Sequence, residues 1–455
     1  MSANPPFDLS IVIPARNEEW LRRTVEDVLA NTSARTEVIV VADGAWPDPP
    51  LEQHERVTLI RTPAPIGQRA ATNLGMRVST AEWCMKLDAH CRVSPGFDSA
   101  MLRHATATGR TNTCFVPSQY NLHAFDWVCE ECGLRSYQSA QPTRCERKLY
   151  LREGYHRQRA DIAKTDAPWA CSSTAFKRDI IWEPRWSRRS FVWRFDSTLH
   201  FMYWKERDKD IRDGPVTNHE HETLSCLGAC WLVNRQHWIG LGMLDEAHGS
   251  WGQMGTEVAC RYWLSGGRLV SIDDAWFAHL FRTQEGFGFP YEHEPGAVER
   301  AREYSRKLWK SGEGAKLASL LRRFWPVPGW TEEELNALEA RPERLESGAA
   351  VRVDGCTAGG ASEEADEQRE RGGAGSSVQS DVRDGRTAGA VWYTDGRGAA
   401  EIRAASHQSV VEGCGPYSFV AVGCAGTLDD RIDILINRPR GYETMFEQIL
   451  FGLYA

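Results

Sequence analysis

Along the first ninety residues, short apolar runs alternate with stretches of helical spacing, and an acidic residue follows two of the runs directly. Residues 10–14 form an apolar strand pattern, 18–31 have helical spacing, and 37–42 make a second strand ending in Asp43-Gly44. Residues 57–61 read as a third strand, 67–78 as a helix and 83–87 as a fourth strand. Helices of that length between strands require right-handed crossovers, so the expected fold is α/β with a mainly parallel sheet covered on both faces. Such sheets bind ligands at the carboxyl ends of their strands. Asp43 and the triplet Asp88-Ala89-His90 both fall at those ends.

Composition narrows the class without naming it. The 455 residues are 42% hydrophobic and 25% charged, enough for one large domain or a few ordinary ones. A formal net charge of -8 argues against a polyanion clamp built from bulk positive charge, while leaving room for a local basic patch. No apolar run approaches the roughly 18 residues of a spanning helix. The opening Met-Ser-Ala-Asn-Pro-Pro has neither a basic region nor an apolar signal core, so a cytoplasmic protein without a membrane partner is expected. Of 13 cysteines, several sit inside strand or helix patterns, as Cys84, Cys114 and Cys260 do, where a small buried thiol is expected rather than a disulfide framework.

A carboxylate and an imidazole two positions apart at a strand's exposed end can share one divalent cation. A lone His279 lies in the run Trp276-Phe-Ala-His-Leu-Phe-Arg282. Ser10-Ile-Val-Ile-Pro-Ala-Arg-Asn-Glu-Glu19, Val38-Ile-Val-Val-Ala-Asp-Gly44, Ile66-Gly-Gln-Arg-Ala-Ala-Thr-Asn-Leu-Gly75 and Leu87-Asp-Ala-His90 together resemble, in order and spacing, a family 2 glycosyltransferase of the GT-A fold. A second set is similar, more narrowly, to the polypeptide N-acetylgalactosaminyltransferases: Cys226 to Asn234, Gly242 to Glu246, Trp251-Gly252, Glu257, Arg261-Tyr-Trp263, Gly266-Gly267 and His279 to Arg282. Those enzymes also use Asp-x-His. The resemblance covers residues 8 to about 285, with an unmatched insertion at about 118–222.

The resemblance implies a GT-A nucleotide-diphospho-sugar transferase sandwich over residues 1–290 and a nucleotide-sugar donor, UDP-linked by preference. It places Pro14, Arg16, Glu18, Asp43, Arg69, Asn73 and Asp88 about the nucleotide, Gly228, Ala229 and Trp251 about the sugar, and makes Asp88, His90 and His279 the metal ligands. Oxygen and imidazole donors suit Mn2+ (or Mg2+) better than Ca2+, and a cation there stabilises the diphosphate as its charge develops. Glu257 is the candidate general base, with Asp245 or Glu246 as alternatives, which leaves the anomeric outcome open. The chain departs from its relatives at Trp251-Gly-Gln-Met254, where they carry Trp-Gly-Gly-Glu, so the donor sugar is open as well.

Cys129-Glu-Glu-Cys132-Gly133 has the form of a zinc knuckle. Cys145 supplies a third thiol, but Lys148 stands where its partner would be, so Zn2+ would need His156, Cys171 or another residue as fourth ligand. Nearby Arg144, Arg147, Lys148, Arg152, Tyr150 and Tyr155 suit phosphates or stacked bases. The acceptor is thus expected to be a hydroxyl on a modified DNA base or on a protein Ser/Thr. Residues 291–345 read as a helical extension with Trp309, Phe324 and Trp325 packed on the catalytic domain, 346–388 as a disordered linker, and 389–455 as a small, partial second glycosyltransferase-like module. Two other classes stand beside the transferase: a nucleotidyltransferase, whose Lys-containing phosphate loop is not what Ala15-Arg-Asn-Glu18 offers, and a non-catalytic zinc-knuckle adaptor for nucleic acid.

Overall fold

The structure is a computed structural model that describes residues 7–107, 109–145, 171–215, 218–249, 251–282, 287–291, 295–340, 389–394, 418–424 and 434–436. Its first half is the expected alternation: β1 (Leu9–Ala15), α1 (Leu21–Asn31), β2 (Thr36–Ala42), β3 (Val57–Arg61), α2 (Gln68–Val78), β4 (Trp83–Leu87), β5 (Cys91–Val93) and α3 (Phe97–Thr106). Strands β3, β2, β1 and β4 lie side by side and parallel, with Ile11 opposite Val38 on one side and Met85 on the other. Every residue of β1 and β2 is buried because both faces are covered. The pleat sends Ile11, Ile13, Val38 and Val40 into one core with α1 and α3, and Val12, Ile39 and Val41 into another with α2.

Beyond β4 the sheet becomes mixed. There follow β6 (Thr113–Cys129), β7 (Arg135–Tyr137), β8 (Phe176–Ser190), β9 (Trp193–Phe195), β10 (Phe201–Tyr203), α4 (Lys205–Asp213), β11 (Glu220–Glu222), β12 (Cys230–Asn234), α5 (Arg235–Gly240), α6 (Met254–Leu264) and β13 (Arg268–His279). The order runs β11-β13-β6-β12-β4-β1-β2-β3, with β12 antiparallel to β4, β13 parallel to β6, and β5 antiparallel to the end of β13. The insertion boundary expected near 118 falls inside β6, a single 17-residue strand that pairs with β13 from Thr113 to Asn121 and with β8 from Gln119 to Cys129. Within that segment the described residues of β6, β7 and β8 form a long arm of the main sheet, while β9 and β10 pair in a sheet of their own.

Helices α7 (Ala297–Ser305), α8 (Gly314–Phe324) and α9 (Glu332–Glu339) form the extension. Trp309, Leu317, Leu321, Phe324 and Trp330 bury themselves against Phe191, Phe195, Trp204 and Cys260, with Trp325 partly buried at the margin, as the sequence indicates. Thr331 and Glu334 close a capping box at the start of α9. Near the C-terminus β14 (Gly389–Thr394), β15 (Ser418–Cys424) and β16 (Ile434–Ile436) appear where apolar runs predicted order, and β16 pairs antiparallel with β3. The linker expected over 346–388 and the helix expected over 442–453 lie outside the described residues.

Candidate active site

Two antiparallel ladders bring distant residues to the end of β4. Because Cys230 of β12 sits opposite Leu87, the preceding Gly228 and Ala229 lie beside Asp88, whose N–H donates to the Ala229 carbonyl at 2.8 Å. Because His279 of β13 sits opposite Cys91 of β5, it lies beside His90, and the Leu280 N–H donates to the His90 carbonyl at 3.1 Å. The result is a three-atom focus. His90 Nε2 and His279 Nε2 are 3.0 Å apart, and Asp88 Oδ2 is 3.2 Å from His279 Nε2.

The surrounding groups aim these atoms. Lys86 and Gln68 both donate to Asp88 Oδ1, leaving Oδ2 turned toward the imidazoles. Glu18 Oε2 lies 3.0 Å from His90 Nδ1, and Arg282 donates to Glu18 Oε1 at 2.7 Å and to Oε2 at 2.8 Å, so the Nδ1 proton of His90 is fixed and Nε2 is left for a ligand. Burial pushes His279 down to about 4, which leaves it neutral and able to donate a lone pair. Burial works to raise the Asp88 pKa, but the Lys86 ammonium and His279 override it and hold the carboxyl well below the usual range. Three convergent donors, one anionic and two imidazole, within 4.8 Å of one another fit a divalent cation with nitrogen affinity. The expected ligand set Asp88, His90 and His279 is thus brought together in space.

This focus opens on a cleft of about 1060 Å³. Of the residues expected about the donor, Pro14, Arg16, Glu18, Asp43, Asp88, Gly228, Ala229 and Trp251 all line it. Asp43 also organises the loop before α2, accepting from the Ile66 and Gly67 N–H groups at 2.6 and 3.0 Å. At the far wall, Gly255 at the start of α6 packs so close to the Cys226–Gly228 turn that a Cβ there would stand 1.8 Å from the Cys226 carbonyl oxygen, so only glycine permits this wall. Gln253 and Met254, which replace the Gly-Glu that the resemblance expects, both line the cleft, and Gln253 donates to the Leu199 carbonyl at 2.7 Å.

Five expected site residues are placed elsewhere. Arg69 is buried beneath the cleft, where its guanidinium bonds Glu257 at 2.8 Å and the carbonyls of Gly249 and Gly252 at 2.7 and 2.6 Å. Asn73 holds both backbone groups of Leu244 and reaches Glu246. Glu257, fully buried, accepts from Arg69, from the Asp245 N–H at 2.5 Å and from Arg261 at 3.2 Å. Asp245 caps the short helix at Glu246–His248 and accepts from the Tyr304 hydroxyl at 2.9 Å. The Glu257 carboxylate is saturated by cationic and backbone donors, so it braces the 249–252 loop instead of meeting an acceptor. Asp245 and Glu246 likewise do not line the cleft.

Lys86, Gln68, Arg282 and Tyr291 belong to the cleft or its ligand cage without having been singled out. Lys86 had a signal: a lysine inside an apolar strand run, fully buried here, needs an anion, and Asp88 two residues on supplies it. Tyr291 is pushed up to about 12 by burial, so its hydroxyl stays protonated.

With this geometry in hand, residues 10–183 match the family model described as Glycosyl transferase family 2. The matched region carries the mainly parallel β1–β4 sheet and the start of the mixed sheet described above. Polypeptide N-acetylgalactosaminyltransferase 3 of Mus musculus is 23% identical over 298 residues, 63% of this chain and 39% of the relative. The Homo sapiens protein of that name gives the same figures. A putative polypeptide N-acetylgalactosaminyltransferase 13 of Drosophila melanogaster is 28% identical over 101 residues, 21% of this chain and 17% of the relative. The chain thus spans about two fifths of the length of the first of these relatives. Among solved structures, GalNAc-T7 with UDP, GalNAc and Mn2+ superposes with a TM-score of 0.44 at 17% identity, covering 73% of this chain and 53% of that one.

Proposed function

We propose that this protein is a metal-dependent glycosyltransferase that moves a sugar from a UDP-linked donor to a hydroxyl acceptor. The convergence of Asp88, His90 and His279 beside the Gly228-Ala229 wall of a large cleft carries the reading. The family match over 10–183 and the naming of the relatives for N-acetylgalactosaminyl transfer support it. A Mn2+ or Mg2+ ion at these three ligands would neutralise the diphosphate as it departs. The chain's own part is positional: Glu18 and Arg282 orient His90, Lys86 and Gln68 orient Asp88, and Gly228-Ala229 lets backbone stand against the sugar.

Among the described residues, the carboxylates lining the cleft are all engaged: Glu18 with Arg282 and His90, Asp43 with backbone N–H groups, Asp88 with Lys86, and Asp208 with the N–H groups of Phe191 and Val192. This favours transfer with retention. The C1–oxygen bond to the diphosphate breaks, the acceptor oxygen bonds to C1 on the same face, and the acceptor proton passes to the departing diphosphate oxygen. Arg189, Lys205, Lys209 and Arg212 also line the cleft, and they favour an anionic acceptor, a hydroxylated base within DNA, over a neutral peptide Ser/Thr.

A screen of nucleotide sugars for binding and slow hydrolysis, with and without Mn2+, tests the reading in the wild type and in His90→Ala. Metal-dependent turnover lost in His90→Ala is the expected result, and failure to bind any sugar nucleotide overturns the proposal. With the donor known, transfer to hydroxymethylated DNA or to a Ser/Thr peptide decides the acceptor.

A further inference from the structure

The long arm of the sheet ends in a cluster that the transferase reading does not use. Cys129 is the last residue of β6; the chain turns through Glu130–Gly133, with Gly133 at φ 68° and its N–H donating to the Cys129 carbonyl at 2.9 Å, and Cys132 comes back beneath it. Leu134 returns a bond to the Cys129 N–H at 2.9 Å, closing the knuckle. Cys145 is tied by its N–H to the Ser173 carbonyl at 2.8 Å, and Glu130 by its N–H to the Ala175 carbonyl at 3.0 Å, which draws the stretch before β8 that holds Cys171 onto the same spot.

The sulfurs meet there. Cys129 Sγ and Cys171 Sγ are 3.7 Å apart, Cys132 Sγ and Cys145 Sγ 3.5 Å, and all four lie within 4.8 Å of one another. A disulfide would need about 2.05 Å. A tetrahedral zinc tetrathiolate with Zn–S bonds of about 2.3 Å places its sulfurs roughly 3.8 Å apart, close to the 3.7 and 3.5 Å of these two pairs. Three of the four cysteines are buried and Cys171 is partly so, in a small cluster completed by Leu134 and Phe176. Sequence left the fourth ligand open. The fold supplies Cys171, whereas His156 lies outside the described residues.

We propose that Cys129, Cys132, Cys145 and Cys171 form a structural zinc site, separate from the Asp88–His90–His279 focus and independent of the transferase reading. The four thiols give up their protons to solvent as the ion binds, and no electrons move. The ion clasps three chain segments at the tip of the β6–β8 arm: the end of β6, the stretch at 145 and the stretch at 171. Four ligands from protein leave no open position, so the role is to hold the arm and not to activate water. Strand β6 also carries Asn121, which lines the cleft and pairs in register with His279, so the clasp anchors the far end of a strand that borders the active site.

The test uses the full chain, purified with reductant, dialysed without metal and assayed by elemental analysis. One tightly held zinc per chain is expected, released by a mercurial thiol reagent and retained in a His90→Ala/His279→Ala variant. The Cys132→Ser/Cys145→Ser variant is expected to drop from one zinc to none. Should that variant fail to fold, cobalt loading of the wild type provides a second reading: thiolate-to-cobalt charge transfer with intense tetrahedral d–d bands supports the site. Absence of zinc and of those bands overturns the proposal. So do a zinc that vanishes only with the histidine variant, or a non-reduced mass lower by the four hydrogens of two disulfides.

Discussion

The buried pair Arg69–Glu257 separates a structural role from a catalytic one most sharply. Both side chains are almost wholly shielded, at 1% and 0% exposure, so solvent screens little of their interaction. Replacing Arg69 with Met leaves the Glu257 carboxylate with Arg261 and the Asp245 N–H as direct donors, and it strips the Gly249 and Gly252 carbonyls of their guanidinium partner. Breaking one side of such a pair costs about 3–5 kcal/mol. Glu257→Gln keeps the shape and removes the charge, so the cost should fall in the same direction and be smaller. Replacing both partners with apolar residues should cost less than the two single changes summed, because neither charge is then stranded. Urea unfolding followed by tryptophan fluorescence measures the stability, and donor hydrolysis at a temperature where each variant is folded measures function. A Glu257→Gln variant as stable as wild type but devoid of transfer would refute this assignment and restore Glu257 as the base.

Three further outcomes are expected. Gly255→Ala forces a Cβ to 1.8 Å from the Cys226 carbonyl oxygen, so the α6 start must retreat; a loss of about 1–3 kcal/mol and a raised donor Kd by calorimetry would follow, with an unchanged Kd counting against the close-packed wall. Glu222, which ties β11 to Arg268 and to Arg323 of α8, is held below its ordinary value because those hydrogen bonds and charges outweigh the effect of burial. Its stabilisation is therefore complete above the ordinary glutamate value and lost as pH falls through the lower folded value. The Tm difference between wild type and Arg323→Ala should accordingly be present at neutral pH and close in strong acid. Proton NMR of the first-formed product should report the donor's anomeric configuration retained; an inverted product would require a base that the described cleft does not supply.

What could be read from the sequence was whatever local spacing encodes. The β1–β4 alternation, the strand-end positions of Asp43 and Asp88, and the apolar faces of the extension follow from runs of a few residues, and the boundaries of the first four strands and two helices shift by three residues at most. The roles of Arg69, Asn73 and Glu257 were illegible because a motif fixes position along the chain but not the direction a side chain takes. Arg69 and Asn73 lie on the face of α2 that turns toward the 244–252 loop, and only the packing of α6 against that helix reveals that their partners are carbonyls and a buried carboxylate. Lys86 was legible in principle, since a charged residue in the middle of a buried strand requires a counter-charge.

The same contrast explains why the metal focus is robust to so distant a relationship. Asp88 and His279 stand 191 residues apart in sequence, yet their meeting needs only one backbone ladder, β5 against the end of β13, because β5 begins three residues after Asp88. Register in this antiparallel ladder is fixed by burial, because a one-residue slip would turn Phe277, Cys91 and Val93 out of the core and carry His279 away from His90 with them. The placement of the third ligand is thus secured by apolar neighbours rather than by the polar groups that use it. The sugar-facing side has no such protection: at Gln253 and Met254 a loop and a helix start meet the cleft, substitutions there disturb no ladder, and this is where the chain departs from its relatives. The start of α6 is therefore free to change the sugar-facing side while the β4–β5–β13 corner keeps Asp88, His90 and His279 together.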